Sequence, residues 1–276
     1  MMRMIVLDID GTSISDDYKI SRNLVELIKR LKEKHIICIA TGRSLSDAYE
    51  YYKCLELKNN IICHNGALIY NPTKNKIKYK KSIQKSNEML KFFNEVKNKF
   101  EINNIILSKI NETYLLNHEN DFLLDIIINK ELPYYFIGEK IINIHDSQRI
   151  IISVNPSYRS RLTNILLKQY PNTIICGWKG RNDIIDISVG NINKWKAIQV
   201  LAKDNNIKYS NIISFGDSMT DVELLKNSGL GICMANGIDE AKRIADDITQ
   251  YDNNNDGVFN YIVENLKYLL TDVRIK

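Results

Sequence analysis

Short apolar runs alternate with amphipathic segments at both ends of this chain. Met4 to Leu7 is an apolar run that stops at Asp8. Leu24, Leu27, Ile28 and Leu31 recur at helical spacing, which predicts a helix from a Ser21 cap to Lys34. Ile36 to Ala40 is the next apolar run and ends at Thr41-Gly42-Arg43. Leu45 to Leu55 predicts a helix and Ile61 to Cys63 a strand. Runs this short between helices predict a parallel sheet with helices on both faces. Ligands of such sheets sit beyond the carboxyl ends of the strands, where Asp8, Thr41 and Asn65 all fall.

From about Ser82 the texture changes. A helix is predicted over Asn87 to Phe100. Strands are predicted over Ile105 to Leu107, Tyr114 to Leu116, Ile141 to Ile144, Ile150 to Val154, Thr173 to Trp178 and Ile184 to Val189. Helical patterns over Glu119 to Asn129 and Ser157 to Gln169 separate them. The first texture then returns. Helices are predicted over Lys194 to Lys203, Asp221 to Lys226, Glu240 to Ala245 and Val258 to Leu269, and strands over Ile212 to Phe215 and Leu230 to Cys233. The expectation is one α/β domain, residues 1–82 and 189–276, split by an inserted α+β domain, residues 83–188.

Composition narrows the function classes. The 276 residues carry a formal net charge of +5, but Lys and Arg are interleaved with Asp and Glu rather than gathered in an arm. That distribution describes a solvated surface and argues against a nucleic-acid role. Cys38, Cys54, Cys63, Cys176 and Cys233 form no C-x-x-C pair, and three lie in apolar runs. An odd count without zinc spacing predicts free thiols in a reducing compartment. No apolar run approaches the length of about 20 residues needed for a membrane span. A cytoplasmic protein, monomeric or a weak homo-oligomer, is expected.

Candidate chemistry gathers at the strand ends. Asp8-Ile9-Asp10-Gly11-Thr12 places two carboxylates on one side of a strand exit, where a hard divalent cation would relieve their repulsion. Gly11 permits the sharp departure. Thr41-Gly42 can offer a hydroxyl and a backbone N–H to a phosphate oxygen, although the same residues suit a plain helix cap. Lys194 follows Asn193, a candidate cap, and its charge suits a phosphate, although an exposed first-turn lysine is the simpler alternative. Gly216-Asp217-Ser218-Met219-Thr220-Asp221 adds two acids after another strand; either or both could complete a magnesium site.

These four motifs, in this order, resemble the haloacid dehalogenase superfamily. The insertion between the second and third resembles its subclass IIB, the Cof-type phosphatases. Asn65-Gly66-Ala67, Asn236-Gly237 and Asn255-Asp256-Gly257-Val258 agree with that likeness. The resemblance implies a Rossmann-like parallel-sheet core with an inserted α+β cap of the C2B type. It implies a magnesium-dependent phosphatase of a small phosphorylated metabolite, a sugar phosphate or a nucleotide or cofactor phosphate. Asp8 resembles the nucleophile and Asp10 the general acid and base. Thr41, the Gly42 amide and Lys194 resemble the phosphate clamp. Magnesium is implied at the Asp8 carboxylate, the Asp10 carbonyl and Asp217, with Asp221 supporting it. A phosphosugar mutase on the same core and a non-catalytic binding protein remain as alternatives. Four residues depart from the pattern. Ser13 stands where Leu is usual, Ser218 and Thr220 replace two asparagines, and Trp195 takes the place of a glycine and either crowds the phosphate or packs inside.

Other matches carry less. Asp252 to Gly257 resembles half of a calcium-binding EF-hand loop, but Val263 stands where the loop needs Glu. His35, His64, His118 and His145 lack metal-ligand spacing. Tyr49, Tyr51 and Tyr52 are expected to pack along a helix. Lys179 and Arg181 are expected in a solvated hairpin turn.

Overall fold

In the computed structural model, β1 (Met4–Leu7) is apolar and buried at all four positions. That is how a strand covered on both faces of a sheet reads. The structure describes residues 2–110, 112–116, 134–136, 138, 144–178 and 180–270. The predicted helix over residues 119–129, residues 141–143 of the strand predicted over Ile141 to Ile144, His118 and Lys179 lie outside them.

After β1 come α1 (Arg22–Leu31), β2 (Ile36–Ile39), α2 (Leu45–Cys54), β3 (Ile61–Cys63), β4 (Leu68–Asn71) and β5 (Lys76–Lys80). Ser21 caps α1 by accepting from the Leu24 N–H at 3.0 Å. The middle of the chain forms α3 (Ser86–Phe100), β6 (Ile102–Ser108), β7 (Thr113–Leu115), β8 (Tyr134–Phe136), β9 (Arg149–Val154), α4 (Pro156–Gln169), β10 (Thr173–Trp178) and β11 (Arg181–Val189). The last part forms α5 (Lys194–Asp204), β12 (Ile212–Gly216), α6 (Val222–Asn227), β13 (Leu230–Cys233), α7 (Asp239–Ile244), β14 (Asp247–Ile248) and α8 (Gly257–Asn265).

Two compact units result. The first comprises Met1–Gly42, Ala48–Tyr79 and Ile192–Lys276. Its main sheet runs β14-β13-β12-β1-β2, all parallel, and a bridge from Ala40 to Ile62 continues it to β3. β3, β4 and β5 form a smaller sheet in which β3 and β4 are antiparallel. From β1 the chain steps to β2 on one side and returns at β12 on the other. β1 is therefore the switch point of the sheet, beyond whose carboxyl end a ligand is expected. Met4, Val6 and Cys38 pack with Ile198, Leu201 and Trp195 in a buried cluster that fixes α5 to the sheet.

The second unit comprises Arg43–Asp47 and Lys80–Asn191. Its sheet runs β10-β11-β9-β6-β7-β8, antiparallel except between β7 and β8. α3 packs on β6, α4 packs on β11, and the two helices touch each other, so they share one face of the sheet. A parallel α/β sheet with a separate α+β unit inserted in it is the predicted fold class. No described helix is long and apolar enough to cross a membrane. All five cysteines are free; Cys38, Cys63 and Cys233 are buried, as expected, and Cys54 and Cys176 are exposed.

Candidate active site

β1 ends at Leu7, and Asp8 is tied to the neighbouring strand by its N–H, which donates to the Phe215 carbonyl at 3.2 Å. The chain then turns. Ile14 N–H reaches back to the Ile9 carbonyl at 3.2 Å, and Gly11 stands at φ 66° inside the loop. Strand alternation therefore does not relate Asp8 to Asp10. The turn leaves Asp8 buried and Asp10 exposed. Ser13, the residue where the resemblance expects Leu, donates to the Asp8 carbonyl at 2.5 Å and helps close the turn.

Lys194 opens α5 behind Asn193, whose side chain accepts from the Lys196 N–H at 2.8 Å. Its side chain is 1% exposed, and its ammonium lies 2.8 Å from Asp8 Oδ1 and 2.7 Å from Asp221 Oδ1. The alternative of an exposed first-turn lysine is therefore excluded. Asp221 is fully buried, and its other oxygen accepts from the Asp217 N–H, the Ser218 N–H and the Ser218 hydroxyl. This places Asp221 as the organiser of the loop after β12. Ser218 and Thr220 hold each other at 2.9 Å, and Ser218 caps the following turn, so these hydroxyls take over local hydrogen bonding. Asp217 accepts from the Thr12 hydroxyl at 3.2 Å, and its carbonyl accepts from the Ile238 N–H at 2.9 Å.

Asp8, Asp217 and Asp221 each offer a carboxylate oxygen, and these atoms lie within 4.8 Å of one another. The Asp10 side chain is not part of this group. Three carboxylates face one ammonium, so the cluster carries excess negative charge. Burial pushes the Asp8 carboxyl well above its usual range, and Asp221 adds to the shift against the opposing pull of Lys194. Asp217 is pushed up to about 7, by burial first and then by Asp221. Burial works against the charge on Lys194, but Asp221 and Asp8 outweigh it and raise its pKa. A divalent cation would offset the uncompensated charge, and a set of oxygen donors suits magnesium.

Thr41 is fully buried. Its N–H donates to the Ile62 carbonyl and its own carbonyl accepts from the Asn65 N–H, both at 2.9 Å. Gly42 follows, with the Asn65 side chain against it. Asp8, Thr41, Gly42, Lys194, Asp217 and Asp221 thus all belong to the first unit, at or just beyond the ends of β1, β2 and β12 or the start of α5.

The Asn236-Gly237 and Asp252 to Gly257 patterns brace the loop after β1 through long-range contacts that the sequence did not show. Asn236 donates to the Gly11 carbonyl at 2.8 Å and accepts from the Asn253 N–H at 3.1 Å. Asn253 donates to the Ile14 carbonyl and to Asp16, each at 3.0 Å, and Asn254 donates to the other Asp16 oxygen at 3.0 Å. The half EF-hand pattern is therefore a brace for the loop after β1. Its amides meet residues more than 200 positions away, which no local motif could reveal. Trp195 is 7% exposed, sits in the buried cluster and meets the Tyr209 ring edge-on at 5.0 Å. It packs inside.

The family model for haloacid dehalogenase-like hydrolase matches residues 5–262. The 5-amino-6-(5-phospho-D-ribitylamino)uracil phosphatase YitU of Bacillus subtilis is 29% identical over 95% of this chain and 96% of its own. The pyridoxal phosphate phosphatase YbhA of Escherichia coli is 22% identical over 96% of this chain and 98% of its own. Among solved structures, a haloacid dehalogenase-like hydrolase from Bacteroides thetaiotaomicron superposes with a TM-score of 0.83 at 20% identity, covering 95% of this chain and 99% of its own.

Proposed function

This chain belongs to the haloacid dehalogenase-like hydrolases, and from that premise we propose how its buried Asp–Lys cluster cleaves a phosphate monoester. The enzyme is a phosphatase of small phosphorylated metabolites, as its relatives' names describe. The observation that carries the finer reading is the chain of buried contacts Asp8–Lys194–Asp221, with the half-buried Asp217 beside it in one group.

In this reading Asp8 attacks phosphorus. A bond forms from its carboxylate oxygen to phosphorus as the bond to the leaving oxygen breaks. Asp10, on the exposed side of the turn, gives the leaving oxygen its proton and then takes one from the water that hydrolyses the aspartyl phosphate. Thr41, the Gly42 amide and Lys194 orient the phosphoryl group and offset its charge. Lys194 also favours the ionised form of Asp8, which burial opposes. Asp8, the Asp10 carbonyl and Asp217 would hold magnesium, with Asp221 fixing the loop; when bound, the ion supplies the positive charge that the carboxylates and phosphate lack.

Residues 83–188 are the cap in this reading, and its role is to exclude water and select the leaving group. The relatives' names direct the substrate search to 5-amino-6-(5-phospho-D-ribitylamino)uracil and pyridoxal phosphate, with sugar phosphates next. The free thiols support the expectation of a reducing, cytoplasmic setting.

Asp8→Asn tests the nucleophile. It is expected to abolish phosphate release from an aryl phosphate in magnesium buffer, whereas wild-type turnover in that variant overturns the assignment. Chelation is expected to silence the wild type and added magnesium to restore it; full activity in chelator refutes the metal role. Return of the phosphoryl group to a sugar hydroxyl, with no free phosphate, would instead identify a mutase.

A further inference from the structure

The turn after β3 is built at some conformational cost. His64, Asn65 and Gly66 stand consecutively at positive φ, at 51°, 53° and 103°. Left-handed backbone is strained for a non-glycine residue and persists where surrounding contacts enforce it. Here the contacts reach two candidate clamp segments at once. The Asn65 N–H donates to the Thr41 carbonyl at 2.9 Å. A Cβ on Gly66 would run into the carbonyl oxygen of Asn193, the residue before Lys194.

The Asn65 side chain adds an independent sign. Its Oδ1 is buried and has no hydrogen-bond partner. It lies beside Gly42, 3.1 Å from where a Cβ at that position would stand, so the missing side chain at 42 makes room for the amide. An unpaired buried amide oxygen has lost its water without gaining a partner, which is a cost to the fold. The turn conformation alone does not account for that cost, since glycine would adopt the same backbone without an amide to bury.

We infer that the Asn65 side-chain amide is a further phosphoryl-binding group. A half-turn about its last side-chain bond exchanges Oδ1 and Nδ2, and Nδ2 then donates to an oxygen of the bound phosphate beside Thr41, the Gly42 amide and Lys194. The local charge balance gives a reason for a neutral donor there. Lys194 is already shared between two carboxylates, Asp8 and Asp221, so its charge is largely matched before substrate arrives. A phosphate dianion then depends on the cation and on neutral donors for the rest of its binding. The inference rests on the phosphatase reading above, and in particular on the clamp roles of Thr41, Gly42 and Lys194.

Asn65→Gly keeps the left-handed backbone and removes only the amide. Asn65→Asp keeps the shape and replaces the donor with a carboxylate oxygen. Both are assayed as magnesium-loaded enzyme with p-nitrophenyl phosphate, and with inorganic phosphate as competitive inhibitor. A hydrogen bond to a charged group corresponds to about tenfold or more in binding. Asn65→Gly is therefore expected to raise KM and the phosphate inhibition constant by about that factor, with an unchanged or higher melting temperature. Asn65→Asp is expected to raise both further, because it sets like charge against the phosphate. Constants within about twofold of wild type in either variant would reduce Asn65 to a turn former and overturn the inference. Asp8→Asn, run alongside, separates the two possible failures. Wild-type turnover there removes the phosphatase reading and this inference with it. An inactive Asp8→Asn beside an unaffected Asn65→Gly removes this inference alone.

Discussion

The Lys194 ammonium donates to Asp221 Oδ1 at 2.7 Å, with 1% of one side chain and none of the other exposed. A buried pair of this kind is costly to break, because the remaining charge has lost water and partner together. Asp221 also holds the N–H groups of Asp217 and Ser218. Asp221→Ala is expected to destabilise the protein by about 3–5 kcal/mol and to lower turnover by misplacing Asp217. Urea unfolding in magnesium buffer measures it. Stability within about 1 kcal/mol of wild type would mean that the pair does not hold the loop.

Proton release should accompany metal binding. Asp217 is pushed up to about 7 by burial and then by Asp221, and Asp8 is raised by the same two causes. In the unfolded chain each acid returns to a pKa of about 3.9. Between those values the folded protein keeps protons that the unfolded chain has released. That contribution to stability is full below a pH of about 4 and is lost as pH rises toward 7. The metal-free protein is therefore expected to melt progressively lower from pH 5 to pH 8. Magnesium, which competes with those protons, should raise the melting temperature more at pH 8 than at pH 5. A magnesium shift of equal size across that range would show that no proton competes for the site.

Gly11 separates backbone strain from damage to the site. It stands at φ 66°, and a Cβ there would strike the Asp217 carboxylate. Gly180 stands at φ 77° in the β10–β11 hairpin, and a Cβ there meets nothing within 4 Å. Both alanine variants are expected to incur a strain of about 1–3 kcal/mol. Only Gly11→Ala should also weaken magnesium binding, read as the metal concentration needed to raise the melting temperature halfway. Equal magnesium affinity in the two variants would detach Gly11 from the metal site.

The parts of the fold legible in the sequence were those written by burial. β1, β2, β3 and β12 are apolar runs because the sheet is covered on both faces, and each run stops just before residues of the candidate site. β4 and β5 went unread. β5 is Lys-Ile-Lys-Tyr-Lys with no position buried, so its alternation marks no core face. The last predicted helix, Val258 to Leu269, ends at Asn265 and resumes as a short 3-10 turn over Lys267–Leu269. Its apolar residues continue past the point where helical backbone stops. At the site, Asp8, Lys194, Asp217 and Asp221 were legible as residue types at strand ends. The patterns holding Asn236 and Asn253 were visible, but their bracing role was not, because each acts through its amide on backbone far away in sequence.

Trp195 gives the last test, because the sequence left two roles open for it. It follows Lys194 directly, so a side chain crowding the phosphate would change substrate binding. The structure instead buries the indole among residues such as Ile62, Ile198 and Leu201 and sets it edge-on to Tyr209, with ring planes at 70°. Deleting a buried aromatic ring leaves a cavity that the surrounding core fills only in part. Trp195→Ala is expected to destabilise the protein by about 3–5 kcal/mol. KM for an aryl phosphate should stay within about twofold of wild type at a temperature where the variant remains folded. The outcome that contradicts packing is the reverse: nearly unchanged unfolding free energy together with a marked change in KM. That result would place the ring against substrate and would require the start of α5 to sit differently beside Asp8.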